Sequence, residues 1–384
     1  HPEYVKLLLQ NMLEPYYGTG KEKMRAYSFH NYQELAVYVM QEARGPRIFK
    51  REEFADRLGI SSYKLDQILQ DIAYDADSIN VDFSYYLDAT NSWRKPLVRL
   101  DADTYFCLDG RMEGYAFYEA MFQIIFARYG TVFSKYQGER LEEMVYQMFR
   151  EKHFPYITGQ YLPDGDLPER NCDMILEGSE RVMFVEIKKC PLPGSYEQAD
   201  DVDVLKTLGE GMLYAQEQIL WHKLRLKEKG ALVLYDKERN YLQDYTPGKK
   251  KIIAMSICMP EYDFLTDRMM TETFLESTLR VTYHAIDPSR EKVLNKLNRR
   301  AANIQMVTAR LFAGEKYTTR DVFFDSMFRS LQQVWTMLRM CDSLDMFLDM
   351  CDIQLVVITG AGDIYVDILS ALHLHQSRSN KSLV

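Results

Sequence analysis

The chain of 384 residues carries 47 Lys and Arg against 56 Asp and Glu, a formal net charge of −9, with 47% hydrophobic and 27% charged residues. That length sets a prior of two or three domains with ample apolar material for packed cores. The acidic balance excludes a protein basic all round, but not a local basic surface, and no apolar run reaches the roughly 18 residues that would cross a bilayer, so no membrane partner is expected. Six cysteines (Cys107, Cys172, Cys190, Cys258, Cys341 and Cys351) keep neither CxxC nor zinc-type spacing. Free thiols in a reducing, cytoplasmic setting are the expectation.

In chain order, the first forty residues place apolar side chains at helical spacing, and "ARGPR" (43–47) breaks the pattern. In "REEFADRLGISSYKLDQILQDIA" (51–73), Phe54, Ala55 and Leu58 line a short helix that Gly59 stops. Ser61 or Ser62 caps a second helix with Leu65, Ile68, Leu69 and Ile72 as its apolar stripe. This is helix-turn-helix spacing. On DNA the second helix would present Ser62, Tyr63, Lys64 and Gln67 to a groove, whereas Asp66 and Asp71 on the same helix favour a hairpin used for packing. "SINVDFSYYLD" and "KPLVRLDADTYFCLDG" read as strands, the latter turning at Asp101–Asp103, which predicts a winged-helix-like region. The apolar helix "RMEGYAFYEAMFQIIFARYG" leads out of it.

A helix in "GERLEEMVYQMFREKHF" follows, then strands near 157–161, 173–176 and 182–188, a helix over about 204–227, and strands in "GALVLYD" and "KIIAMSICM". That alternation predicts a mixed α/β domain. Beyond Thr266 the pattern is helical almost to the end. Within it "REKVLNKLNRRAANIQMVTAR" (290–310) sets six basic side chains against one acidic, with Val293, Leu297, Ile304 and Val307 as its stripe. Arg299 and Arg300 there are either phosphate contacts or part of a solvated helix face. "LVVITGAGDIYV" (355–366) lacks the G-x-G-x-x-G frame of a dinucleotide site and predicts a turn before a final helix. His373 and His375 have no third ligand nearby and predict a surface feature.

The stretch "CDMILEGSERVMFVEIKKC" (172–190) sets three charges among β-strand residues. If a hairpin turns at Ser179–Glu180, antiparallel register pairs Glu177 with Val182 and, further on, Asp173 with Glu186. Opposed Cβ atoms lie about 4.5–5.5 Å apart, and two carboxylates that close repel unless a cation is shared. Lys188 follows on the same strand face as Glu186, while Ile187 points the other way.

These residues resemble the D…ExK signature of the PD-(D/E)XK nuclease superfamily, and Glu186-Ile187-Lys188 is the one acid-x-Lys triplet in the sequence. Cys172 stands where the family's name expects proline. The resemblance covers about 137–267 and implies a restriction endonuclease-like domain (131–267), a mixed sheet flanked by helices. A mostly helical, winged-helix-like domain (1–130) would precede it and a helical C-terminal domain (268–384) would follow. By the resemblance, Asp173 and Glu186 hold Mg²⁺ or Mn²⁺, the Ile187 carbonyl is a further ligand, and Lys188 orients the attacking water. Glu142 on the preceding helix, with Glu139 and Glu143 as competing choices, reaches a second metal or the water network. Gln216 on the following helix, or Gln218, completes the set. The implied activity is metal-dependent hydrolysis of nucleic acid, foremost by a DNA endonuclease of restriction or anti-phage type, with a homo-oligomer or a partner protein allowed. The alternatives are a non-enzymatic DNA-binding scaffold with a degenerate nuclease domain, or a nuclease directed at RNA.

Overall fold

The computed structural model describes residues 1–18, 24–81, 84, 94–190, 200–357 and 359–381. The chain divides into two compact units, His1–Met144 and Val145–Val384.

In the first unit, helices Pro2–Met12, Glu14–Tyr17 and Phe29–Glu42 precede strand β1 (Arg47–Lys50). Helices Arg51–Leu58 and Ser62–Ile72 follow, then β2 (Ala73–Asp75), β3 (Leu97–Arg99) and β4 (Thr104–Cys107). The four strands pair in the order β1-β4-β3-β2. Gly59 adopts the left-handed conformation (φ 59°) that ends the first of the two short helices, and Ser61 stands at the N-cap of the second. Leu65, Ile68, Leu69 and Ile72 are all buried, as their 3.6-residue spacing predicts. Strand β1 was not legible in the sequence, because four residues are too short for a period to show. The strand expected over "SINVDFSYYLD" lies largely outside the described residues; its first residue closes a short 3₁₀ turn, Ala76–Ser78.

Gly110 sits where a Cβ would come within 2.6 Å of the Val39 carbonyl oxygen and 2.8 Å of the Met40 Cα. Both neighbours are backbone and cannot turn aside. Gly110→Ala is therefore expected to destabilise the first unit by about 1–3 kcal/mol, the range for overpacking, read as a lower urea midpoint at unchanged slope.

A helical run over Gly114–Glu151 is interrupted at Gly130 (φ 56°, ψ −138°). The domain break expected at 130–131 falls on this kink, whereas the compact units divide after Met144.

The second unit is built on one seven-stranded mixed sheet, ordered β11-β10-β7-β6-β5-β8-β9. Its strands are β5 (Ile157–Tyr161), β6 (Arg170–Glu177), β7 (Arg181–Lys188), β8 (Leu232–Tyr235), β9 (Tyr241–Tyr245), β10 (Lys251–Cys258) and β11 (Ser326–Ser330). Strands β5, β6 and β7 are antiparallel neighbours, and β7 runs parallel to β10. The connection from β7 includes helix Asp201–Leu208, a π turn at Gly209–Leu213 and helix Tyr214–Lys229. Apolar side chains of that last helix, such as Ile219, pack with Phe184 and Ala254 of the sheet. Helix Leu344–Gln354 also packs on β7, so both faces of this strand are covered.

The expected separate helical domain at 268–384 is corrected here. That segment contributes β11, which pairs in parallel with β10 from Ala254↔Ser326 to Cys258↔Ser330. Its helices Arg268–Thr278, Glu291–Leu311, Thr319–Phe323, Leu331–Met340, Leu344–Gln354 and Ile364–Lys381 complete the same unit. The "SMFRS" strand escaped notice because it is buried along its whole length and carries no alternation. Gly360 and Gly362 have positive φ (72° and 68°) and turn the chain before the last helix, as expected. Among the described residues no helix is long and apolar enough to cross a membrane.

Candidate catalytic centre on the central sheet

The β6–β7 hairpin turns at Ser179–Glu180, where the Gly178 amide donates to the Arg181 carbonyl at 2.9 Å. Asp345 steadies this turn by accepting from the Ser179 amide at 2.7 Å. Pairing runs from Glu177↔Val182 to Met174↔Val185. One step further along that register lie Asp173 and Glu186. There the ladder gives way to a side chain: the Ile187 amide donates to Asp173 Oδ2 at 2.8 Å. The parallel neighbour β10 sets Ser256 beside Glu186 and Cys258 beside Lys188.

Lys188 Nζ bridges the two acids, donating to Glu186 Oε2 at 2.8 Å and to Asp173 Oδ2 at 3.2 Å. Glu186 is 0% exposed and Asp173 9%. Burial alone would discharge Glu186, but the Lys188 ammonium and the bond from His222 outweigh it and hold the carboxyl down at about 2. Burial also opposes charge on Lys188, and the two carboxylates outweigh it, so its pKa is raised. At neutral pH Glu186 is therefore a carboxylate and Lys188 an ammonium, a hydrogen-bond donor rather than a base.

His222 is a further functional residue of the centre, one that no sequence motif marks. It is fully buried, with Nε2 2.9 Å from Glu186 Oε1 and Nδ1 3.0 Å from the Tyr161 hydroxyl. A carboxylate only accepts, so Nε2 carries the proton in that contact. The imidazole also packs on the Phe184 ring at 5.4 Å. The available signal was a histidine continuing the buried stripe of Ala215 and Ile219 on its helix. A lone histidine on an apolar face usually reports packing, and only the fold brings it to Glu186.

The oxygen donors suit a hard divalent cation, since Mg²⁺ binds through one or two carboxylates and keeps several waters. Among the described residues no group of three His, Cys, Asp or Glu side chains is placed to hold a metal ion. Lys188 Nζ occupies the position both carboxylates address, so a cation bound between them has to displace it from at least one.

The remaining candidates are Gln216, Gln218, Glu142 and Ile187. Gln216 is buried, but it bonds to serines: its Nε2 donates to Ser256 Oγ at 3.4 Å and its Oε1 accepts from Ser326 Oγ at 2.9 Å. It serves the β10–β11 side of the sheet and does not reach the Lys188 ion pair. Gln218 is also buried, and its Oε1 has no partner among the described residues. Glu142 is half-buried on the Gly114–Glu151 helix, within the first unit, and Glu139 and Glu143 are exposed. Ile187 is buried, consistent with its facing away from Glu186.

On the second short helix of the first unit, Ser62, Tyr63 and Lys64 are exposed, Tyr63 at 65%. Gln67 is turned inward as a structural residue, accepting from the Ala26 amide at 2.9 Å and donating to the Tyr63 hydroxyl at 3.1 Å. The carboxylates of that helix are also engaged, Asp66 by Arg51 and Asp71 by Arg25. On the basic helix Arg299 is exposed, while Arg300 folds inward against Tyr214 at 3.7 Å and Glu217 at 3.4 Å. Its buried stripe includes Leu294, Leu297, Ile304 and Val307, so Leu294 takes the place expected for Val293. His375 is spoken for by Asp349 at 2.6 Å.

No protein-family model, curated protein or solved structure matches the chain.

Proposed function

We propose that the second unit hydrolyses phosphodiester bonds of nucleic acid with the help of a divalent cation, as a nuclease of the PD-(D/E)XK kind. The observation that carries this reading is Lys188 Nζ held between Asp173 and Glu186 at 3.2 and 2.8 Å. The element order supports it: a helix, the antiparallel strands β5, β6 and β7, a helical crossover, then, after a β8–β9 hairpin that extends the sheet beside β5, β10 parallel to β7. In the first unit, helix Phe29–Glu42, β1, two short helices and a β3–β4 hairpin with β1 paired to β4 fit the order of a winged helix, which favours DNA.

Mg²⁺ or Mn²⁺, when bound, supplies positive charge to the phosphoryl oxygens. The chain's own residues do the rest. Asp173 is aimed by the Ile187 amide and Glu186 by His222, so both carboxylates are fixed before substrate arrives. Once displaced from one carboxylate, Lys188 has donors for the attacking water and for charge developing on the phosphate. The test is incubation with plasmid, linear, single-stranded and RNA substrates in Mg²⁺, Mn²⁺ and EDTA. Cleavage in metal and none in EDTA is expected, and Asp173→Asn should abolish it in a protein that still folds. Undiminished cleavage by that variant would show the centre to be elsewhere.

A second reading has its own observation. With Lys188 already pairing both acids, the centre is equally a closed ion pair inside a binding scaffold. Retention of DNA without cleavage under every metal condition would select it.

A further inference from the structure

Helix Glu291–Leu311 crosses the π turn Gly209–Leu213, and the two enclose a cavity of about 100 Å³. Drug-sized ligands need pockets of at least about 300 Å³, so this one suits a small group. Its lining includes the cations Lys206, Lys292, Lys296 and Arg300, against the single carboxylate of Glu210. Glu210 is taken by Lys296 at 2.9 Å. Lys206 and Lys292 are exposed and have no partner among the described residues, and Arg300 Nε is buried with none. Arg300 also donates to Glu217 at 3.4 Å, which leaves the two lysines and Arg300 Nε as the surplus donors. Gly209 lies against Leu297 of the helix, where a Cβ would come 2.6 Å from Leu297 Cδ1.

The cavity also has an address. Arg300 lies over the Tyr214 ring at 3.7 Å, and Lys188 Nζ is 5.2 Å from the centre of that ring. The catalytic ammonium and the pocket's guanidinium thus share one aromatic ring as a neighbour and lie at most about 9 Å apart across it. At about 3.4 Å of rise per nucleotide, a separation of that size is covered by at most about three nucleotides.

Building on the phosphodiesterase reading above, we propose that Lys206, Lys292 and Arg300 form a binding site for a backbone phosphate of the nucleic-acid strand, within about three nucleotides of the phosphate that is cleaved. Tyr214 spaces the two phosphates, and the pocket fixes which bond of the strand reaches Lys188. The recognition is of phosphate alone and therefore independent of base sequence.

The test is anisotropy of a labelled single-stranded oligonucleotide titrated with the full chain in EDTA, where no hydrolysis occurs. Lys206→Glu/Lys292→Glu is expected to weaken binding at least tenfold and to make the logarithmic salt slope shallower by roughly one to two. Arg299→Glu, on the same helix but not lining the cavity, is expected to weaken binding by less than threefold. Equal losses in both variants would mean that only the general charge of the helix matters, and would overturn the site. So would unchanged oligonucleotide binding by the double variant combined with pocket-dependent binding of inorganic phosphate in calorimetry, which would assign the cavity to a free phosphate compound. A parent that binds through the pocket yet cleaves nothing in Mg²⁺ or Mn²⁺ removes the nuclease reading and keeps the phosphate site. A parent that cleaves, with the double variant binding as well as the parent, does the reverse.

Discussion

Lys188→Met is expected to unfold at markedly lower denaturant than the parent and to lose metal-dependent cleavage. The substitution keeps most of the aliphatic stem and removes only the ammonium. What remains is Glu186 at 0% exposure facing Asp173 at 9%, two acids with no cation between them. Removing one partner of a buried ion pair costs about 3–5 kcal/mol, because the other charge is left in a poor solvent. The sign of the metal response then separates a cation site from a closed ion pair. If the carboxylates can take a divalent ion, about 10 mM Mg²⁺ should raise the variant's melting temperature more than the parent's, since the ion no longer competes with Lys188. A variant whose stability ignores Mg²⁺, or falls with it, would remove the metal from this centre.

His222→Phe carries the second large effect. The ring fills a similar volume, but Glu186 Oε1 and the Tyr161 hydroxyl lose their 2.9 and 3.0 Å partners inside the fold. Two buried polar atoms left without partners cost about 1–3 kcal/mol each. A pH dependence accompanies the loss. The Glu186 carboxyl, held at about 2 in the folded chain against 4.5 for the free group, contributes stability that is complete above about pH 4.5 and disappears as pH falls through about 2. At roughly 1.4 kcal/mol per unit that is on the order of 3 kcal/mol. In His222→Phe the carboxyl should protonate at higher pH, so less stability remains to be lost between pH 5 and 2. Urea midpoints of both proteins at pH 7, 5 and 3 measure this. A constant difference between them across that range would disconnect His222 from the ionisation of Glu186.

The charged hairpin was legible in the sequence because strand register is arithmetic. Once the turn is placed at Ser179–Glu180, the partner of every residue follows, and Asp173 comes to lie beside Glu186. What the sequence could not supply is what covers the hairpin. His222 reaches Glu186 through a helix that begins 26 residues after Lys188, and no local pattern encodes that contact. Gln216 shows the converse. Its position on the right helix suggested a place at the centre, but a shift of part of a turn points it at Ser256 and Ser326 instead. Strand β11 was hidden for a third reason. A short strand buried on both faces has no period, so the C-terminal segment looked like a helical domain of its own.

Ile187 gives this centre an unusual reporter. Its amide hydrogen belongs to a carboxylate and not to a neighbouring strand. The solvent-exchange rate and chemical shift of that one backbone group therefore follow the state of Asp173, whether bare, protonated or shared with an ion. A spectroscopist watching a single peak of the main chain can read events at the side chains without touching them.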